Sequence, residues 1–496
     1  TISNLTIANG LAAQGGGIEN AADNLTLQGV TLSNDQAVGG AGADAQGGGI
    51  YNGSAASLTV HESIFTNDVA KGGDGLNGSN AGTAYGGALF NQGIATLSGS
   101  KLRANAAIGG DSTGVGGSGF GGGIMNDVGG TLTVRDSAFG GAGQLGNQAL
   151  GGRHGKLDPP PVFVEDVGNG AAIVNEAILV VRDSSFVGNQ VHGGDSVAAH
   201  VAGGAGGAGA IKSGSEDTDP PASTTISDCT FFDNRSTGGA GGAGAPGGQG
   251  SCGAFLADHG VNVLHDCTFL GNAAIGGAGG AGGNGGPGRA GALRLGPRDG
   301  NVSVLATDCV FAGNAAIGGA AGAGGVGGLG EGGAIANVQI FALANTSSLT
   351  LRDCVLSGNQ AVGGTGAVGG LARGGGISDA GGPTLTTGGI NTTVVDCLIS
   401  DNMAQGADGG AGNGGNGLGG GLFVDAHAVL TLKGDMVIGN QAIGGAGASA
   451  LSNGKGQGGG IYIATGGSAC ADDSTIIDGN SASTSDDDLF GVLGSC

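Results

Sequence analysis

A phrase built largely of glycine recurs along this chain and limits its fold more than any other feature. Aligned on its Gly-Gly-Gly-Ile form, it ends at Ile18, Ile50, Leu89, Ile124, Ile173, Ile211, Phe255, Leu293, Ile335, Ile377, Leu422 and Ile461, at intervals from 32 (18 to 50) to 49 residues (124 to 173). The unit is fixed and its insertions vary. A chain of 496 residues would otherwise divide into about three domains of ~150 residues, but a repeat of this period marks a solenoid, whose units bury their apolar faces only against their neighbours.

A second packet follows in each unit, as in "SLTVHESIFTND" (57 to 68), "TLTVRDSAF" (131 to 139) and "SLTLRDCVLSGN" (348 to 359). It alternates with the period of a half-buried strand. The alternation slips once, between Val60 and Ser63, so His61 and Glu62 are expected to turn a corner. Each unit then reads as three short strands: one at the glycine phrase, one at Leu-Thr-Val and one at Ser/Cys-x-Phe. The expected fold is all-β, a single-stranded right-handed parallel β-helix of about 12 to 13 coils with a core roughly 60 Å long. Repeats should span residues 1–465, and a last coil and cap residues 466–496. An array of hairpins would need two-residue Asn-Gly or Asp-Gly turns at regular positions, whereas here long variable loops occur at one corner only.

Those loops, such as "GGAGGAGGNGGPG" (276 to 288), should line up as a glycine-rich fin. Extended polyglycine helices packed side by side and flexible loops are both compatible with the sequence. Stacking at a fixed coil spacing would reduce the entropic cost that a single such loop faces.

In a β-helix a repeat alignment is also a map of vertical files. One file is apolar: Leu32, Phe65, Leu102, Phe139, Phe186, Phe231, Phe269, Phe311, Leu356, Ile399 and Val437. Two residues earlier lie Ser63, Ser100, Ser137 and Ser184, then Cys229, Cys267, Cys309, Cys354 and Cys397, then Asp435. With no Cys-x2-Cys pair or nearby His to suggest zinc, the five cysteines read as small inward residues, although pairing between coils is within the Cα range of a disulfide. Cys470 and Cys496 bracket the chain's last stretch and are the better disulfide candidates.

A third file is acidic: Glu62, Asp136, Asp183, Asp228, Asp266, Asp308, Asp353 and Asp396. Stacked carboxylates repel, so either each is held by its own corner or a cation lies between them. Asp228, Asp266, Asp308, Asp353 and Asp396 are therefore candidate Ca²⁺ ligands, and no other cofactor is expected. His61, Arg135, Arg182, His265, Arg352 and Lys433 stand just before this corner. A fourth file is the Asn of Phe-x-x-Asn, at Asn105, Asn189, Asn234, Asn272, Asn314, Asn359, Asn402 and Asn440, with Asp35 and Asp68 in the first coils. It is read as structural.

The balance of 16 Lys+Arg against 39 Asp+Glu, a net charge of -23, disfavours nucleic acid. No apolar run approaches the ~20 residues that span a bilayer. Because the chain opens at "TISNLTIANG", already inside a repeat, it reads as a mature or trimmed segment.

"GGALFN" (86 to 91) and "GGAIAN" (332 to 337), paired with "FVGN" (186 to 189), "FFDN" (231 to 234), "FLGN" (269 to 272) and "FAGN" (311 to 314), resemble the repeats of polymorphic outer-membrane proteins and related right-handed β-helix surface proteins of bacteria. The long glycine insertions depart from that pattern and resemble Gly-rich mycobacterial surface repeats. The resemblance implies a secreted or cell-surface protein used in adhesion or as a structural component. Polysaccharide lyases and hydrolases share the fold class, but their chemistry needs an irregular cluster of acids and bases, and here the ionisable residues recur in files. The expected function is non-enzymatic: an extracellular element of the bacterial surface that self-associates into a fibre or layer. The alternative is a protein that degrades or binds a surface polysaccharide. The proline-bearing insertions 153–169 and 214–223 are the candidate recognition loops.

Overall fold

The structure, a computed structural model, describes residues 1–156, 167–214, 222–297, 300–339, 345–381 and 389–496. Its strands form five sheets of 14, 13, 13, 11 and 13 members, each pairing a strand only with its counterparts in the coils before and after. Every ladder between them is parallel, so the chain winds as a parallel β-helix with 13 strands in three of its walls.

One coil shows the plan. Gly260–His265 belongs to sheet A, Thr268–Leu270 to sheet B, Ala273–Ile275 to sheet C, Gly288–Arg289 to sheet D and Leu293–Leu295 to sheet E. The three strands expected per coil are thus five. Sheets C and D were hidden because strands of two or three residues are too short to alternate visibly. Residues 466–496 carry on the same walls, supplying Ser468–Ala471, Ile476–Asp478, Ser481–Ala482, Leu489–Phe490 and Leu493–Ser495.

The apolar file stacks in register, Phe186 on Phe231, Phe231 on Phe269 and Phe269 on Phe311. Their ring centroids lie 4.8, 4.6 and 4.8 Å apart with planes 5–6° from parallel, an offset-stack separation that adds to simple burial. Opposite them the residues ending the glycine phrase form a second file, from Ile50 on Leu89 to Leu422 on Ile461. Together these make one continuous hydrophobic core from Leu27 to Ala469.

The glycines of the phrase have distinct tasks. The first turns the corner between sheets D and E in the left-handed region, as at Gly86 (φ 65°) and Gly332 (φ 67°), which costs glycine no Cβ clash. The second lets neighbouring coils touch: a Cβ on Gly253 would lie 1.9 Å from the carbonyl oxygen of Gly291.

Between sheets C and D the coils send out the glycine-rich insertion as an outgoing and a returning leg, and these legs are ordered among the described residues. Along the outgoing leg of residues 276–281, Gly276 and Gly279 donate to Ile317 and Ala320 of the next coil at 2.8 and 2.9 Å. Gly277 and Gly280 donate to Gly248 and Ala245 of the preceding coil's return leg at 2.8 and 3.1 Å. Ala278 and Ala281 point to solvent. Three residues per turn with bonds only between strands of the bundle is the geometry of an extended polyglycine helix. The legs then bond in a zigzag: Gly248 to Gly239, Gly277 to Gly248, Gly286 to Gly277, Gly319 to Gly286 and Gly328 to Gly319, all at 2.8–2.9 Å. At the tip, Gly283 N–H bonds to the carbonyl of Gly280 at 2.7 Å and Gly282 has φ 78°, a turn that requires glycine at its third position.

Candidate functional site

The acidic file sits at the corner between sheets A and B, and the backbone explains its composition. Glu62, Asp136, Asp183, Asp228, Asp266, Asp308, Asp353 and Asp396 all have φ between 47 and 55°. In coils without an acid the place is taken by Asn4, Gly29, Gly99 and Gly434, at φ 51, 62, 59 and 70°. Asp is among the few side chains that enter this left-handed region readily, so the corner accounts for the acids without a ligand. Of the five candidate calcium ligands, only Asp266 and Asp308 meet a third ligand-bearing side chain, His265, among the described residues. No such group forms around Asp228, Asp353 or Asp396 there.

Immediately after this corner, the Ser/Cys file performs one repeated task. Ser184 donates its hydroxyl to the carbonyl of Arg182 at 2.7 Å, and the thiols of Cys229, Cys267, Cys309, Cys354 and Cys397 donate to the carbonyls two residues earlier at 3.0–3.2 Å. Each heavy atom can also accept from the coil below: Ser137 N–H reaches Ser184 Oγ at 3.2 Å, Cys354 N–H reaches Cys397 Sγ at 3.3 Å and Cys397 N–H reaches Asp435 Oδ1 at 2.8 Å. That shared role is why Ser, Cys and Asp interchange here. All five cysteines are buried and free, as is Cys252. Burial pushes the Cys229 and Cys252 thiols up to about 12, so they are neutral donors.

The Asn file is a buried amide ladder. Asn234 gives both its main-chain N–H (3.0 Å) and its Nδ2–H (2.9 Å) to Oδ1 of Asn272, and its second Nδ2–H to the carbonyl of Phe186 at 2.9 Å. Asn147, displaced from the Phe-x-x-Asn spacing by the insertion 140–146, belongs to the ladder as well. Asp488 closes it by accepting from Asn480 N–H and Nδ2–H at 3.1 and 2.9 Å. A second amide ladder, Asn20–Asn52–Asn91–Asn126–Asn175, runs at the end of sheet E with bonds of 2.7–2.8 Å. Its signal in the sequence was the Asn of Gly-Gly-x-Ile-x-Asn.

Outside the core, sheets D and E meet in a groove that gathers the residues whose files are least regular. All three tyrosines lie in it. Tyr51 stacks on Phe90 (5.5 Å), Tyr85 on Phe120 (5.7 Å), and Phe423, Tyr462 and Phe490 form a run with centroids 5.4 and 4.5 Å apart. The rings pile along the rod, so their faces meet each other. Arg373 lies 4.9 Å above the Phe423 ring and 3.4 Å from Asp425. In the middle coils the groove holds buried ions: Arg289 paired with Glu331, Lys212 3.9 Å from Asp258, and Arg294 bonded to Ser251 Oγ. Burial lowers Arg294 to about 10.

A polar cleft of about 420 Å³ lies at the corner between sheets B and C, lined by Ala104, Gly143, Gln144, Gly146, Gln148 and Gln190. Most of the two candidate recognition loops, residues 157–166 and 215–221, lies outside the described residues. Within the described part, Arg153 pairs with Asp111 of the fin at 2.8 Å and His154 is buried against the carbonyl of Ala202 at 2.8 Å. Cys470 and Cys496 are joined by a disulfide with Cα atoms 5.3 Å apart.

No protein-family model matches this chain, and no curated protein matches it in sequence. No helix among the described residues is long and apolar enough to cross a membrane.

Proposed function

We propose that this protein is a non-enzymatic extracellular rod of the bacterial surface, a structural or adhesive element that self-associates into a fibre or layer. The carrying observation is the ordered fin, a plate of hydrogen-bonded glycine legs that presents exposed small side chains such as Ala278 and Ala281 at a fixed spacing. A flat periodic surface of this kind suits lateral packing of identical rods, because one contact repeats along the whole length. The thiols and the Asn amides occupy axial ladders with backbone or neighbour partners, an arrangement suited to holding coils together. The disulfide between Cys470 and Cys496 supports an oxidising compartment. The finer resemblance to polymorphic outer-membrane protein repeats rests on the Gly-Gly-[Ala/Gly]-Ile and Phe-x-x-Asn pairs, and with it the assignment to a cell surface.

Binding of a surface polysaccharide is the second reading. It is favoured by the cleft at Gln144, Gln148 and Gln190, whose amides offer both donors and acceptors to sugar hydroxyls. Against a sugar platform along the D/E groove stands the stacking of its rings on one another.

Electron microscopy of the purified protein tests the first reading. Filaments or sheets with rods in lateral register are expected, and substitution of Ala278 and Ala320 by Glu should disperse them. Lone rods at every concentration and salt condition would refute assembly.

A further inference from the structure

We propose that His265, Asp266 and Asp308 form a surface site for one divalent transition-metal ion, Zn²⁺ being its natural class. His265 ends a strand of sheet A, Asp266 follows it at the corner, and Asp308 occupies the same corner one coil on. The imidazole lies between the two carboxylates, with Nε2 3.0 Å from Asp266 Oδ2 and Nδ1 3.6 Å from Asp308 Oδ2. One ligand atom from each residue can be chosen so that all three lie within 4.8 Å of one another. Ligands bound at ~2.1 Å around a tetrahedral ion are ~3.4 Å apart. Modest rotations of three half-exposed side chains close that gap and leave a fourth position to water.

The acidic file has its fewest basic neighbours at this level of the rod. Asp136, Asp183 and Asp353 each follow an arginine, Arg135, Arg182 and Arg352, while Asp396 follows Val395. Across three successive coils, Asp228, Asp266 and Asp308 follow Ser227, His265 and Thr307 instead. Within these three coils His265 is the one basic side chain at that position, and Arg182 and Arg352 hold it in the flanking coils. An imidazole with two carboxylates selects zinc-like ions, because calcium takes six to eight oxygen ligands.

The molecule carries its own control. His61 stands in the same file beside Glu62, and its Nδ1 bonds Ser98 Oγ at 2.5 Å as His265 Nδ1 bonds Thr307 Oγ1 at 2.9 Å, but the next coil has Gly99 where Asp308 would be. Among the described residues, only the His265 site has both carboxylates.

Calorimetric titration of the intact, chelator-treated protein with ZnCl₂ should give one equivalent of binding. Cu²⁺ at the same site should show nitrogen coupling in its electron paramagnetic resonance spectrum. His265→Gln should abolish both signals. Asp308→Gly, which places at this corner the residue Gly99 and Gly434 already supply, should weaken Zn²⁺ by tenfold or more without unfolding the rod. Gly99→Asp should add a second equivalent. No saturable binding by the wild-type protein, or binding unchanged in His265→Gln, would overturn the proposal and leave the imidazole as a bridge between the carboxylates.

Discussion

The main-chain N–H of Asp68 lies 3.0 Å from the side-chain oxygen of Asn105, the bond by which the coils of the ladder hold one another, yet Asp68 presents an oxygen where Asn105 presents an amide. Asn105 turns its Nδ2 to the carbonyl of Phe65 at 3.2 Å. The corresponding Oδ2 of Asp68 is buried and has no hydrogen-bond partner. Asp35, one coil below, repeats the arrangement.

This substitution predicts a pH-dependent weak end. Burial raises the Asp68 carboxyl to about 8 from 3.8, and the nearby Asp35 carboxylate adds to the shift. A carboxyl whose folded value exceeds its unfolded one holds its proton more tightly in the fold. Its contribution is therefore complete below about pH 4 and is lost as pH rises through about 8. Hydrogen exchange corrected for intrinsic rates should show residues 31–71 opening more readily at pH 8.5 than at pH 5. Asp68→Asn should reduce that difference, leaving the part that Asp35 contributes, and stabilise these coils by ~2 kcal/mol at the higher pH, by replacing a buried unpaired oxygen with a bonded amide. Equal protection at both pH values would refute it.

Ladders of this kind explain how much the sequence could reveal. The register of Phe231 on Phe269, and of Ile335 on Ile377, was legible because large apolar residues recur at fixed offsets within each unit. Sheet D was not, since strands such as Gly288–Arg289 are too short to carry a period. Asn147 was missed because the insertion 140–146 moved it away from Phe139, though the coil closes around the loop and restores its place. Glu62 and the seven aspartates of its file were legible as corner residues. The convergence of His265 with Asp308 was not, because it depends on which side chains lean together across coils. The order of the fin was half visible: the Gly-Gly-X triplets of 276–288 are in the sequence, but their bonds to residues 239–248 and 318–328 arise only once the coils are stacked.

The thiols should be inert in the native rod. Reaction requires access as well as thiolate; all six free cysteines are buried, and burial also pushes the Cys229 and Cys252 thiols up to about 12. Mass spectrometry after alkylation at pH 8 should find none of the six free cysteines modified in the folded protein. All six should be modified in guanidinium without reductant. Native labelling of any member of the file from Cys229 to Cys397 would contradict this burial.

The fin should be intolerant of a single methyl group at one phase of its triplet and indifferent at another. A Cβ on Gly277 would lie 2.0 Å from the carbonyl oxygen of Gly239, whereas Ala278 beside it faces solvent. Gly277→Ala should cost ~1–3 kcal/mol through overpacking, and Ala278→Ser should change stability by less than ~0.5 kcal/mol. Denaturant unfolding of the two variants gives the comparison, and equal midpoints would mean that the legs do not pack in solution.

The disulfide should act locally, because a stacked rod transmits stability only between neighbours. Cys470 lies in the strand Ser468–Ala471 and Cys496 follows the strand Leu493–Ser495 that pairs with it, closing a separation of 26 residues. Chain-entropy reasoning assigns such a loop ~3–4 kcal/mol. That contribution acts where the core is thinnest: Leu489 and Leu493 are only partly buried, and Val492 is 85 % exposed. Reduction, or Cys470→Ser with Cys496→Ser, should free the strand Leu493–Ser495 and raise hydrogen exchange over residues 468–496. The amide ladder from Asn234 to Asn402 should stay protected, since its bonds are formed by coils several levels away. Loss of protection along the whole rod on reduction would show that the end nucleates the stack, and the nearest-neighbour picture would fail.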